Sequence, residues 1–385
     1  MMGFEFATAT RIMFGQGTAR QTGTIVGKMG RRAFFISGRS VERAQPLIGL
    51  LKDNDVAVTL FSIPEEPTTQ LALAAVAEAR GHNCDVVVGM GGGSVLDTGK
   101  VVAALLTNSG QLMNYLEVIG KGQPLEHKSA PFVAIPTTAG TGTEVTSNSV
   151  LNSPEHHIKV SMRSPFMLPD LALIDPELTY SMPPGVTALT GLDAFTQLLE
   201  AFVSAYANPL TDGICREGLQ RAAHSLRQAY LDGGNISARR DMCLASLFGG
   251  LALANAKLGA VHGFAGPLGG MYPAAHGALC AALLPAVMEV NVKALGSRGS
   301  APGALERYDE VARLITGLPA ARAADGIAWV RNLCAQLEIK PLATYGIKTE
   351  HFADIAWNAR RASSMQGNPI ELNEKELLEI LQMAL

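Results

Sequence analysis

The sequence predicts a two-part α/β protein: an N-terminal doubly wound parallel-sheet (Rossmann-like) domain of nucleotide-binding type, followed by an all-α C-terminal domain. Three observations lead there. Between Arg31 and Pro136 short apolar runs alternate with helix-like stretches, which is the pattern of a parallel sheet covered on both faces. From about Pro183 the chain changes to long alanine- and leucine-rich segments with helical period and few strand signals. Its 385 residues also exceed the usual size of one hydrophobic core.

Taken in order, the N-terminus MMGFEFATATRIMFGQG alternates in a strand-like way. RRAFFISG is a strand, with a helix expected over Val41 to Lys52; VAVTLFS is the next, with a helix over Thr68 to Gly81. CDVVVGMGGGS leads into a helix over Val95 to Leu106, and PFVAIPTTAGTG is the following strand and turn. The helical part contains GVTALTGLDAFTQLLEAFVSAY, ICREGLQRAAHSLRQAYLDG and ARRDMCLASLFGGLALANAKLG. Prolines interrupt both periodicities in DPELTYSMPP, so the domains are expected to span 1–181 and 182–385. GSRGSAPGAL, Gly296 to Leu305, reads as an exposed loop.

Hydrophobic residues make up 48% and charged residues 17%, a globular composition. No apolar run reaches the roughly 18 residues of a membrane span, and the N-terminus lacks a basic leader before an apolar core, so no membrane association and a cytoplasmic location are expected. A net charge of -3 provides no basic stripe, which argues against nucleic acid and for a small-molecule partner. The five cysteines, Cys84, Cys215, Cys243, Cys280 and Cys334, are widely spaced with no CxxC pair and read as buried small hydrophobes.

Two turns carry binding chemistry. After CDVVVGM come Gly91, Gly92, Gly93 and Ser94, then a helix with Asp97 and Lys100. Residues without side chains let backbone amides approach a phosphate, and the helix N-terminus adds partial positive charge. The pattern is neither GxGxxG nor a P-loop, so it favours phosphate binding only modestly over a tight strand-to-helix turn. The second turn, IPTTAGTGTEVTSNSVL, places threonines after a buried strand, where open α/β sheets hold ligands; such threonines also satisfy their own backbone. Asp193 on a helix, with His262 and His276 beside glycine- and proline-containing turns, offers a carboxylate and two imidazoles suited to zinc or ferrous iron. Spacing alone leaves capping or packing open for each histidine.

Several segments together resemble the iron-containing (group III) alcohol dehydrogenase family. They are GMGGGSVLDTGK (89–100), AIPTTAGTGTEVTSNSVL (134–151), Lys159 followed by PDLALIDPELT (169–179), TGLDAFTQLLEAFVS (190–204) and NAKLGAVHGFAGPLGGMYPAAHG (255–277). The resemblance spans nearly the whole chain in one order. It implies the dehydroquinate synthase-like fold of that family, with the active site in a cleft between two domains, an NAD or NADP cofactor, a divalent metal (Fe2+ or Zn2+), a small alcohol or aldehyde substrate, and a homodimer with the N-terminal strands as a candidate interface. It further implies that Gly92, Gly93 and Ser94 contact pyrophosphate with Asp97 at the helix start, that Thr137, Thr138 and Thr143 line the nicotinamide side, and that Lys159 is the cleft lysine. Asp193, His262 and His276 match metal ligands.

Three departures from the family pattern stand out. Gln197 stands where a fourth metal-binding histidine is usual, and a neutral amide is a poorer donor than imidazole. Gly266 stands where a proton-shuttling histidine is often found. Gly38 and Arg39 occupy the turn where NAD-preferring relatives often carry an aspartate, which makes NADP at least as good a fit as NAD. The expected function is reversible, metal-assisted hydride transfer between NAD(P)H and a small aldehyde or ketone. Two alternatives stand beside it. One is a metal-independent oxo-acid reductase resembling the maleylacetate reductases, with Lys159 or Arg163 holding a carboxylate; the other is a non-catalytic nucleotide-binding module.

Overall fold

The structure is a computed structural model that describes residues 3–64, 66–156, 158–299 and 303–385. The chain divides into two compact units: Thr8–Thr138 with Gly142–Tyr180, and Ser181–Leu385 with Met1–Ala7 and Ala139–Thr141. The change of unit after Tyr180 falls in the proline-rich segment. Unlike a single cut at 181, however, the division gives the N-terminal residues and a piece of the threonine turn to the helical unit.

In the α/β unit the strands are β1 (Ile12–Phe14), β2 (Arg32–Gly38), β3 (Ala57–Ile63), β4 (Val86–Gly91), β5 (Phe132–Pro136), β6 (Asn148–Ser153), β7 (Ile158–Arg163) and β8 (Leu171–Ile174). Six form one sheet in the order β1-β8-β5-β4-β2-β3, and every pairing is parallel. The helices are α1 (Thr22–Val26), α2 (Gln45–Lys52), α3 (Thr69–Gly81), α4 (Gly93–Thr107) and the short α5 (Leu112–Tyr115). Alternate residues of a strand face opposite sides of the sheet, and this sorts the core into two layers. Phe34, Ile36, Val87 and Phe132 pack with Ala72, Val76, Leu96 and Val101 of α3 and α4. Ala33, Phe35, Val88 and Val133 pack on the other face with Val26, Leu47 and Leu51.

β6 and β7 form a separate antiparallel pair, Asn148 opposite Arg163. The strand-like N-terminus yields only the three residues of β1, at the sheet edge beside β8.

The second unit holds α6 (Pro184–Val203), α7 (Pro209–Leu231), α8 (Ile236–Ala256), α9 (Ala260–Met271), α10 (His276–Arg298), α11 (Ala304–Thr316), α12 (Ala323–Gln336), α13 (Phe352–Arg361) and α14 (Glu374–Ala384), and no strand among the described residues. α10 runs on to Arg298 and α11 takes up Leu305, so the loop expected over Gly296 to Leu305 shortens to five residues, of which 300–302 lie outside the described residues. No uninterrupted apolar run reaches membrane length, yet by length and mean hydropathy two helices, α6 and α10, are long and apolar enough to cross one. Their apolar windows are 83% and 72% buried inside the unit, the pattern of core helices that are apolar all round. Between α8 and α9 the chain bends by 98° at Lys257–Gly259, with Lys257 at φ 55°. This bend brings the start of α9 against α6.

Candidate functional site

The sequence Gly-Ala-Val-His begins α9, and its first amides have no helical acceptor. They find acceptors from elsewhere in the unit: the Val261 and His262 amides donate to Glu200 at 2.6 and 3.4 Å, and the Ala260 amide donates to Asn368 Oδ1 at 3.1 Å. Gly259 makes this approach possible, because a Cβ there would stand 2.8 Å from Glu200 Oε1 and 3.0 Å from Asn368 Oδ1. Glu200 also accepts from His262 Nδ1 at 2.7 Å. That bond orients the ring and turns Nε2 toward Asp193, whose Oδ1 is 3.3 Å away.

His276 is the first residue of α10, and its Nε2 lies 3.8 Å from the same Asp193 oxygen. One turn further along α10, Cys280 Sγ is 3.6 Å from His276 Nε2 and 3.8 Å from His262 Nε2. One donor atom each from Asp193, His262, His276 and Cys280 therefore lies within 4.8 Å of all the others. Sequence reasoning missed Cys280 and Glu200. Reading Cys280 as a small hydrophobe is corrected here: it is buried, but its sulfur faces two imidazoles.

Gln197 lies one turn after Asp193 but meets its other oxygen. Gln197 Nε2 donates long hydrogen bonds of 3.4 Å to Asp193 Oδ2 and to the Thr141 carbonyl, and its buried Oε1 has no hydrogen-bond partner.

The cluster is electrostatically set up for a cation. Burial alone would raise the Asp193 carboxyl; the His262 hydrogen bond and the nearby imidazoles outweigh it and hold it below its ordinary range. Burial would lower His262, but Cys280, Asp193 and Glu200 reverse this and hold it well above its ordinary value. Cys280, pushed up by burial, is brought below its ordinary value by His276 and His262. His262 lies between two carboxylates, so its ring holds protons on both nitrogens when no other cation is near, and a divalent ion would displace the Nε2 proton. These residues fit a metal.

In the α/β unit the chain passes outward from β2 to β3 and returns to β4 on the far side of β2, so the switch point lies between β2 and β4. Gly91 ends β4, Gly92 caps α4, and Gly93 and Ser94 open it without a side-chain cap. A Cβ on Gly91 would stand 2.4 Å from Val95. Gly38 ends β2, and Arg39 donates to the Pro64 carbonyl at 3.2 Å. Thr137, whose amide donates to Gly91 O at 2.9 Å, and Thr138 follow β5 at the same edge.

Asp97 turns inward. It accepts from Thr143 Oγ1 at 2.5 Å and from the Val150 amide at 3.1 Å. Lys100, fully buried, donates to Thr143 and Thr146 hydroxyls at 2.8 Å and to Asn148 O at 2.7 Å. Desolvation pushes this lysine down to about 8. Lys100, which sequence reasoning quoted without a role, therefore ties the glycine-turn helix to the threonine turn. Lys159 on β7 belongs to this unit too, where it pairs with Glu66 at 2.9 Å.

A dehydrogenase that couples a nicotinamide cofactor to a metal needs an anion-binding turn at a sheet switch point and a caged cation, and the chain carries candidates for both. Comparison with known proteins narrows this class. The chain belongs to the iron-containing alcohol dehydrogenase family: residues 9–176 match the model for iron-containing alcohol dehydrogenase, and residues 187–385 match that for the C-terminal part of the same family. Among its relatives, choline dehydrogenase of Bacillus subtilis is 33% identical over 96% of this chain and 92% of its own length. The 1,3-propanediol dehydrogenase of Klebsiella pneumoniae is 35% identical over 87% of this chain and 85% of its own. Among solved structures, a 1,3-propanediol oxidoreductase superposes with a TM-score of 0.92 at 31% identity, covering 100% of both chains. A sulfoacetaldehyde reductase from Bifidobacterium kashiwanohense in complex with NAD+ superposes with a TM-score of 0.88 at 28% identity, over 100% of this chain and 99% of that one.

Proposed function

We propose that the protein interconverts a small alcohol and its aldehyde or ketone with NAD(P), assisted by a divalent metal at Asp193, His262 and His276. The observation that carries this reading is the set of donor atoms that face one another, buried except at the half-buried His276, in a member of this family. A divalent ion held there supplies Lewis-acid polarisation of the carbonyl oxygen. Asp193 offers the negative charge, and Glu200 fixes the His262 tautomer from outside the ligand set. The amides at Gly92, Gly93 and Ser94 bind pyrophosphate, while Asp97 and Lys100 hold that turn against the threonines rather than touching cofactor themselves. With no carboxylate at the Gly38–Arg39 turn, Arg39, whose guanidinium donates one bond to the Pro64 carbonyl, has further donors for a 2'-phosphate, which favours NADP. Lys159 serves as a substrate-side cation, and the pair with Glu66 orients it. In place of an imidazole at Gly266, water or a ribose hydroxyl carries the proton.

The five buried free cysteines accord with a reducing compartment, the cytoplasm. The edge strand β1 is the candidate surface for a homodimer. Nicotinamide absorbance with a panel of alcohols and aldehydes, both cofactors, and chelated against metal-loaded protein tests the whole reading. Full turnover of an oxo-acid by chelated protein would transfer it to the metal-independent reductases, and no turnover anywhere would defeat it.

A further inference from the structure

The metal-assisted reading leaves a question about the ligand set, because the residue one turn after Asp193 is an amide. Two residues compete for the fourth position. Gln197 reaches Asp193 through Oδ2, whereas both imidazoles face Oδ1. Its orientation follows from its neighbours: Asp193 Oδ2 and the Thr141 carbonyl are both acceptors, so the NH2 end is the one that belongs beside them. The amide oxygen then points toward Gly249, where a Cβ would stand 2.8 Å from it. Gln197 therefore presents donors, not a lone pair, on its Asp193 side.

Cys280 faces inward. Four of the six separations are 3.3 Å (Asp193 Oδ1 to His262 Nε2), 3.8 Å (Asp193 Oδ1 to His276 Nε2), 3.8 Å (Cys280 Sγ to His262 Nε2) and 3.6 Å (Cys280 Sγ to His276 Nε2), and the other two are within 4.8 Å. Ligand atoms at the corners of a tetrahedron around zinc stand roughly 3.3 to 3.8 Å apart, given its usual bond lengths to oxygen, nitrogen and sulfur. We propose that Cys280, not Gln197, is the fourth metal ligand, giving a carboxylate, two-imidazole and thiolate set matched to a borderline-soft ion such as zinc rather than to ferrous iron. Gln197 is a positioning residue: by holding Oδ2 it leaves Oδ1 turned to the metal. The thiolate brings the second negative charge and the softness that the amide cannot supply.

This inference rests on the metal-assisted reading, and one experiment separates their failures. Full-length protein freed of metal by chelation is titrated with Co2+ and, separately, with Zn2+. The expected result is about one ion per chain and an intense near-ultraviolet thiolate-to-cobalt band. Cys280→Ser should lose that band and bind at least roughly tenfold more weakly, while Gln197→Leu keeps the band. X-ray absorption on zinc-loaded wild-type protein needs no variant and should give one sulfur at about 2.3 Å. A cobalt-loaded wild type without the band, a Cys280→Ser protein that keeps it, or a zinc shell of nitrogen and oxygen alone would overturn the role of Cys280 while leaving a metal site. Uptake of neither ion by the wild type would overturn both this role and the metal reading beneath it.

Discussion

At the scale of single residues, Glu200 shows how a carboxylate outside the ligand set can govern the site. It accepts from His262 Nδ1 and from two amides of α9, so Glu200→Gln keeps the shape but weakens the partner that orients the ring. We expect roughly 10- to 100-fold weaker metal binding, read by competition with a fluorescent chelator, in a protein that still folds.

A second residue-scale prediction concerns Glu144, whose carboxyl burial pushes up to about 7 from 4.5. The folded state holds this proton where the unfolded chain has released it, so stability falls as pH rises from about 4.5 to about 7. Lys100 works in another window: its folded value of about 8 lies below 10.5, so stability is regained only as pH climbs from about 8 toward 10.5. Glu144→Gln should remove its share of the first slope, worth at most about 3 kcal/mol, in denaturant midpoints taken at both ends of that window.

What the sequence disclosed at this scale was uneven. Asp193, His262 and His276 carry side chains whose chemistry speaks without a fold. Cys280 lies in an apolar helix, HGALCAALLP, where a thiol and a small hydrophobe read alike, and only the meeting of α6, α9 and α10 separates them. Glu200 had a usable signal: an acidic residue in the otherwise apolar run LLEAFV of a buried helix must have a partner.

At the scale of elements, glycines with and without space around them predict opposite outcomes. Gly91 joins β4 to α4 with no room for a Cβ against the stiff Val95 side chain. Gly91→Ala should cost about 1–3 kcal/mol and weaken NAD(P)H binding in a fluorescence titration. Gly213, inside α7 and exposed, has nothing within 4 Å of a Cβ. Gly213→Ala should raise stability by roughly 0.5–1 kcal/mol in thermal unfolding, because alanine loses less backbone freedom in a helix.

The strands and helices of the α/β unit were legible because buried parallel strands read as continuous apolar runs. The β6–β7 pair escaped notice because its threonine-, serine- and asparagine-rich flank reads as a turn, although Asn148–Ser153 alternates in burial. Asp97 was legible as a position but not as a partner of Thr143, since that bond spans 46 residues of sequence.

For the whole molecule, the proposed metal and cofactor sites fall in different units, and hydrogen exchange followed by mass spectrometry should map them. Metal should slow exchange at the start of α9 and along α10, and cofactor should slow it at the β4–α4 turn. At a free metal concentration about a thousand times its dissociation constant the stabilisation is about 4 kcal/mol. Protection spread evenly over the chain by either ligand would contradict this assignment of sites to units. The near-membrane hydropathy of α6 and α10 has its explanation at this scale as well: both cross the core of a helical unit and carry its polar site, Asp193, Gln197 and Glu200 on one and His276 and Cys280 on the other.

The helical unit also borrows chain from before residue 181. Ala7 exchanges two hydrogen bonds with the Asn255 side chain, at 2.6 and 2.9 Å, and Thr141 gives its carbonyl to Gln197. A gene fusion cut once at 181 would thus deliver a helical half without these pieces. Recombination between relatives can swap these units cleanly only if it exchanges three separate stretches of the gene together, which ties the inheritance of the two halves to each other.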